Sequence, residues 1–324
     1  MSQTTCVMFG DELADYHFGQ DHPFGPKRYW AFKEEFTRRE LTNKVALCSP
    51  QSASEKQLQL FHSPGYIQKV KRLSIIGTGY LDCGDTPARH GIYNAACTVV
   101  GTTLSAIYLI MSNQYRHAFT PIAGLHHATR TSAAGFCVFN DCGIAIEYLR
   151  KQYNIQRIAY IDIDAHHGDG VFYSFEDDAN LCIVDFHQDG ATLYPGTGSI
   201  HETGIDKATG TKLNIPLPPY TTDDIAKEHW QNVESFIEKA KPEFILLQCG
   251  ADSLSADPIT QLNLTSDFHS FVARRLCLLA NKHCNGRLLA MGGGGYNLEN
   301  IKVAWNDVIE ALLSSYKRGL PPLT

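Results

Sequence analysis

Among ten cysteines no two stand three residues apart, so the chain has no C-x-x-C pair and no regular cysteine frame. That absence argues against a disulfide framework or a paired-cysteine metal site and suits free thiols in a reducing compartment. Cys97, Cys182, Cys249 and Cys277 lie in apolar surroundings, where a buried thiol is at home. A basic surplus is missing too. The net charge of −6 gives no field for a direct grip on nucleic acid. The opening Met1–Thr5 lacks the basic n-region and apolar core of a secretion signal, and a cytoplasmic protein is expected. No internal repeat, low-complexity tract or Pro/Gly/Ser-rich linker interrupts the chain, so residues 1–324 are expected to form one domain. The glycine tract Gly292–Gly295 lacks the Gly-Lys-Ser/Thr ending of a phosphate loop, which excludes that mode of nucleotide binding. Only Ile92–Met111, uncharged throughout, is long enough to span a bilayer. It contains Asn94, Thr98, Gly101, Thr102, Thr103 and Ser105 and runs into a strand-like segment, so it reads as a buried helix and no membrane contact is expected.

What is present is an alternation. Apolar runs near Cys6–Phe9, Val45–Cys48, Ala118–Ala123, Ile158–Asp164, Leu181–His187, Lys212–Leu217, Phe244–Gly250 and Leu288–Gly292 read as strands. Helical patterns near Lys27–Arg39, Pro64–Leu73, Ile92–Met111, Cys142–Tyr153, Asp223–Ala240, Ser266–Asn281 and Asn300–Tyr316 fall between them. The alternation predicts an α/β fold with a mostly parallel sheet and helices on both faces.

Chemistry gathers where those strands end. The run Asp162-Ile163-Asp164-Ala165-His166-His167-Gly168-Asp169-Gly170 sets three carboxylates and two imidazoles at a strand terminus, the edge where open α/β sheets bind ligands. Asp162, Asp164 and His166 are spaced by two and face one side of an extended segment. Other strand ends lead into His126-His127, Gly135-Phe136-Cys137, His187 with Tyr194–Gly198, Gln248–Ser253 and Gly292–Asn297. A histidine pair or a glycine tract alone usually means core or loop, but these converge on one edge. A catalytic metal site needs about three protein ligands and an open position. Asp164, His166 and Asp252 supply a mixed set that suits Zn²⁺ and tolerates Fe²⁺ or Co²⁺. Such a cation lowers the pKa of water to about 7. His126 and His127 can then manage protons, Asp162 and Asp169 orient them, and Tyr296 offers a donor to a developing oxyanion. The parts describe metal-assisted hydrolysis of an amide.

In these motifs the chain resembles the histone deacetylase superfamily, in the class I-like branch that includes bacterial acetoin-utilisation and acetylpolyamine amidohydrolase relatives. The likeness runs from His22-Pro23 and Arg28 through Asp85-Thr86-Pro87, His126-His127, Gly135–Cys137, Asn140-Asp141, Asp162–Gly170, Pro195–Gly198 and Gly250–Asp252 to Gly292–Tyr296. It implies the single-domain arginase/deacetylase fold with an eight-stranded sheet. It also implies metal ligation by Asp164, His166 and Asp252, and pairs His126 with Asp162 and His127 with Asp169. His127 would be the general base and acid, and Tyr296 would polarise the scissile carbonyl. Phe136 and Tyr194 would wall a tunnel for acyl-lysine methylenes, the Gly135 carbonyl would accept from the substrate amide, and Asp85 would grip substrate backbone at the rim. Arg28 would lie at an inner cavity where acetate leaves. A structural K⁺ would sit on the Asp162, Asp164 and His166 carbonyls with Asp185 and Phe186. The implied partner is an acylated protein, peptide or small amine.

Tyr194 stands where the family usually has Phe, and Asp185 where serine is frequent. A two-metal arginase-like hydrolase needs further carboxylates where Gly168 and Leu254 stand. An acetylpolyamine amidohydrolase carries an acid at the tunnel mouth, where Ile259 falls here, so acyl-lysine is the expected substrate. A non-catalytic binding module has no need of the intact metal set, both histidines and Tyr296.

Overall fold

The computed structural model describes residues 4–314; the N-terminal Met1–Gln3 and the expected helix end at Tyr316 lie outside the described residues. Eight strands, β1 Thr5–Met8, β2 Ala46–Cys48, β3 His117–Thr120, β4 Ile158–Asp162, β5 Leu181–Gln188, β6 Lys212–Leu217, β7 Phe244–Gln248 and β8 Leu288–Met291, form one sheet in the order β2-β1-β3-β8-β7-β4-β5-β6. Every neighbouring pair is parallel. Parallel crossovers lay helices over both faces, so inner strands are buried on both sides and read as unbroken apolar runs. Ile158–Asp162 and Phe244–Gln248 are buried at every position.

The helices are α1 Lys27–Arg38, α2 Glu55–Leu58, α3 Pro64–Ile76, α4 Ile92–Met111, α5 Asp141–Tyr153, α6 Asp169–Ser174, α7 Asp223–Glu228, α8 Trp230–Ala240, α9 Ser266–His283 and α10 Leu298–Ser314. The single helix expected over Asp223–Ala240 is broken at His229, where i→i−3 bonds (His229 to Ala226, Asn232 to His229) tighten the turn. α2 and α6 were not expected, and α6 begins inside the run read as a glycine turn. Helix α4 is long and apolar enough to cross a membrane, yet 67% of its most apolar window is buried within the fold. Its Thr103 hydroxyl donates to Asp141 Oδ2 at 2.7 Å, and that buried carboxylate accepts the Gly124 and Leu125 amides. Thr103 of α4 thereby supports, through Asp141, the loop that carries His126 and His127.

A second support for that loop comes from Asn140, which caps α5 through Gly143 and donates to the His126 and Ala128 carbonyls. Its own amide donates to His62 Nε2 at 2.9 Å, which requires that nitrogen to be unprotonated. Burial pushes His62 from its usual 6.5 down to about 3. The unfolded chain takes up a proton below pH 6.5 that the native state refuses, so this contribution is complete above 6.5 and lost as pH falls toward 3. The expected slope is up to ~1.4 kcal/mol per pH unit. Urea unfolding of wild type and His62→Gln between pH 7 and about 4.5 should give a smaller loss in the variant; equal slopes would show that His62 is not the acid-labile group.

Candidate active site

Strand β4 stops at Asp162 because Asp162 Oδ1 accepts the Asp164 amide at 3.1 Å and diverts the backbone from the ladder. Asp164 Oδ1 then accepts the His166 amide at 3.0 Å. Asp164 and His166 therefore sit in a turn, not along the extended segment expected, and the Asp162 carboxylate spans the Asp164 amide and His126 Nδ1. From the 3₁₀ turn after β7, Asp252 completes the group. His166 Nδ1 lies 3.1 Å from Asp164 Oδ1 and 3.2 Å from Asp252 Oδ2, and ligand atoms of all three lie within 4.8 Å of one another. Glycine makes this approach possible. A Cβ at Gly250 would fall 2.0 Å from Asp164 Oδ2, and one at Gly294 2.1 Å from Asp252 Oδ2.

The electrostatics ask for positive charge. Burial, then the Asp164 carboxylate, pushes Asp252 upward, while the same two carboxylates overcome burial to hold His166 at about 10. Two buried carboxylates and one imidazole in this cradle fit a divalent cation of the Zn²⁺ type.

Beside the triad, His126 Nδ1 is 2.8 Å from Asp162 Oδ2 and His127 Nδ1 is 2.6 Å from Asp169 Oδ1, while the two Nε2 atoms are 3.1 Å apart. Burial alone would lower both rings. Asp162 and Asp164 override it at His126 and raise it to about 10, whereas burial and the His126 charge leave His127 at about 4. Tyr296 arrives on the glycine loop after β8 and packs its ring edge-on against Phe136, with centroids 5.8 Å apart.

A profile of the histone deacetylase domain matches residues 22–312. The acetoin utilization protein AcuC of Bacillus subtilis (strain 168) is 38% identical over 305 residues, covering 91% of this chain and 78% of its own length. The AcuC of Staphylococcus aureus (strain MSSA476) is 34% identical over 333 residues, covering 99% of this chain and 85% of its own. The chain belongs to the histone deacetylase family. It is a deacetylase hydrolase, and its sheet matches that family's fold. The HDA15 HD domain crystal structure superposes with a TM-score of 0.86 at 23% identity, over 97% of this chain and 90% of that one.

Around the deacetylase centre, the remaining expected residues take distinct places. Tyr194 sets its ring edge-on to His127 at 5.3 Å and also faces His166. Phe136 adopts φ 64°, held by the Thr86 hydroxyl on its amide and the Tyr16 hydroxyl on its carbonyl. Gly135 has φ +51°, and a Cβ there would strike the His127 ring at 2.4 Å. Asp85 accepts from the Thr86 hydroxyl, and burial with the neighbouring Asp82 pushes its carboxyl upward. Ile259, 38% exposed, shares a cleft of about 300 Å³ with Arg28, Tyr296, Asp21 and Lys27.

Arg28 lines this cleft and also braces the glycine loop. Its Nε and Nη2 donate to the Gly295 and Gly293 carbonyls at 2.7 and 2.6 Å, so most of the guanidinium braces the glycine loop. Only Nη1, buried and without a hydrogen-bond partner, is left for an anion or water. The Asp185 carboxylate is taken by the Gly168 amide and His187, and the Phe186 ring packs on Trp230 and Phe268.

Sequence pattern gives no role to two further contributors. Gln248, the last residue of β7, donates to Asp164 Oδ2 at 2.8 Å and to the Gly124 carbonyl, and accepts from the Gly250 amide at 2.7 Å. It joins the loops carrying His126, Asp164 and Asp252. Tyr160 donates its hydroxyl to Asp162 Oδ2 at 2.6 Å, beneath His126. A polar residue ending an otherwise apolar strand was the available signal for Gln248.

Proposed function

We propose that this deacetylase removes acetyl, or another short acyl group, from the lysine side chain of proteins or peptides, with Asp164, His166 and Asp252 holding a divalent cation. One observation carries the reading: the triad meets two imidazoles whose Nε2 atoms are 3.1 Å apart and whose Nδ1 atoms each bond a different carboxylate. When bound, such a cation polarises a carbonyl and lowers the pKa of water, and the donor set admits Zn²⁺, Fe²⁺ or Co²⁺.

The chain's own groups supply the rest. His127 Nε2 takes a proton from the attacking water and returns it to the leaving amine, with its tautomer set by Asp169. His126, with its Nδ1 on Asp162 Oδ2 at 2.8 Å, stands beside His127 and steadies the negative charge that develops there. The Tyr296 hydroxyl donates to the carbonyl oxygen as that oxygen gains charge. Phe136 and Tyr194 line the lysine methylenes, the Gly135 carbonyl accepts the substrate N–H, and Asp85 takes substrate backbone at the rim. The free Arg28 Nη1 suits departing acetate. The Asp162, Asp164 and His166 carbonyls, with Asp185 and Phe186, would hold a structural K⁺. A cytoplasmic location belongs to the same reading.

An apolar Ile259 at the mouth favours acyl-lysine over acetylated polyamines. Asp21, in the same cleft, and the Asp82–Asp85 pair are what a polycation would seek, and they support the polyamine alternative. A panel of acetyl-, propionyl- and butyryl-lysine peptides beside acetylated polyamines decides between them. Acetyl-lysine peptide is expected to win in kcat/KM by about tenfold or more, the discrimination one apolar contact can supply. A preference for polyamines would replace this reading. A metal-loaded protein inert on every probe would return it to a binding module.

A further inference from the structure

The Tyr296 hydroxyl can serve a carbonyl only if the loop beneath it is fixed, and that loop has almost no side chains. Gly293 and Gly295 both have positive φ, +69° and +120°. Arg28 braces the loop through two carbonyls, as described, and Asp164 Oδ2 accepts the Gly294 amide at 2.8 Å. The backbone of Tyr296 itself is held by a residue with no part in the chemistry above. Asp257 Oδ2 accepts the Tyr296 amide at 2.8 Å and the Asn297 amide at 3.3 Å, while its Oδ1 accepts the Ile259 amide at 3.1 Å.

Asp257 is only 7% exposed. Against burial, what supports its charge first is these main-chain amides. A buried carboxylate is costly unless its oxygens are satisfied, and here they are committed to two loops at once. The turn that delivers it places Ala256 at φ 66°, a left-handed conformation that a residue with a Cβ seldom adopts. Bonds also run back the other way, with Asn297 Nδ2 on the Ala256 carbonyl and Asn300 Nδ2 on the Ser255 carbonyl, both at 3.0 Å.

We propose that Asp257 is a positioning residue, which fixes the Tyr296 hydroxyl for the substrate carbonyl and ties that position to the rim residue Ile259. The proposal rests on the catalytic reading of Tyr296 given above. Misplacing a reacting group by about 1 Å can cost ~10²-fold in rate. Asp257→Asn keeps the volume but replaces one acceptor oxygen with a donor, so it should lower kcat by ~10–10²-fold with little change in KM and full metal content. Tyr296→Phe should lower kcat by ~10²–10³-fold.

The test is a double-mutant cycle on metal-loaded enzyme with an acetyl-lysine peptide, read beside amide hydrogen exchange. If Asp257 acts through Tyr296, adding Asp257→Asn to Tyr296→Phe costs no further kcat, and Asp257→Asn quickens exchange at Tyr296, Asn297 and Ile259. Additive losses in the cycle, unchanged exchange at those amides, or an Asp257→Asn enzyme with wild-type kcat would each overturn the proposal while the role of Tyr296 stands. A Tyr296→Phe enzyme with wild-type kcat would instead remove the catalytic reading, and the positioning role with it. Should Asp257→Asn fold poorly, Asp257→Ser, which can keep one acceptor, carries the same cycle.

Discussion

Asp252→Ala should purify without bound divalent metal and without measurable deacetylase activity, yet remain folded. Asp252 is fully buried, with Oδ1 on the Ala165 amide at 3.0 Å and Oδ2 facing His166 Nδ1 at 3.2 Å. Its removal leaves Asp164 and His166, short of the roughly three protein ligands that a catalytic centre requires. The fold should survive because the metal-free site is already crowded with like charge: burial and Asp164 together push Asp252 upward, and truncation relieves that repulsion. The Ala165 amide and His166 Nδ1 both lose a partner, which opposes this gain by up to ~3 kcal/mol each, the cost of an unsatisfied buried group. Thermal unfolding gives a readout independent of turnover. Added Zn²⁺ should raise the melting temperature of wild type by mass action and leave the variant unmoved. Near-full metal occupancy in purified Asp252→Ala would refute the ligand assignment.

The fold was legible because a parallel sheet covered on both faces writes its strands as continuous apolar runs. Where the strands stop was less so, and the two central neighbours fail in the same way. Asp162 Oδ1 takes the Asp164 amide and Gln248 Oε1 takes the Gly250 amide, so each strand is ended by a side chain that accepts from two residues ahead. Sequence pattern carried both strands two residues too far, across polar residues that look like ordinary strand ends. Helix α6 was hidden for a related reason. Gly170 reads as a turn, but it is glycine because a Cβ there would lie 2.4 Å from the His127 carbonyl.

At the site, residues clustered in sequence were the readable ones: Asp162–Asp169, the His126-His127 pair and the glycine tract. Partners joined only by the fold were not. Gln248 reaches Gly124 across 124 positions, and Arg28 reaches Gly295 across 267. No local spacing encodes such contacts, so the bracing of the glycine loop by Arg28 was not legible.

His127→Ala should retain its metal and lose ~10²–10⁴-fold in kcat, the range for a general acid–base residue. The two imidazoles are neighbours in sequence and in space, yet their surroundings set them apart. Asp162 accepts from His126, and with Asp164 it raises that ring to about 10 against burial when no cation shares the site. Burial and the adjacent His126 charge keep His127 near 4, so it is neutral at pH 7 even with Asp169 against its Nδ1. A neutral ring whose Nδ1–H is committed to Asp169 leaves its Nε2 unprotonated, as a base requires, with that nitrogen 3.1 Å from His126 Nε2. A cationic ring has no unprotonated nitrogen and can act only by its charge or by giving up its proton. His127 touches none of the three proposed ligands by hydrogen bond, its nearest being an edge-on ring contact with His166 at 5.8 Å, so metal content should be spared. The measurement is kcat on an acetyl-lysine peptide with metal analysis of the same preparation. A fully loaded His127→Ala enzyme that keeps near wild-type kcat would transfer the proton to His126, and the charge assignment of the pair would have to be reversed.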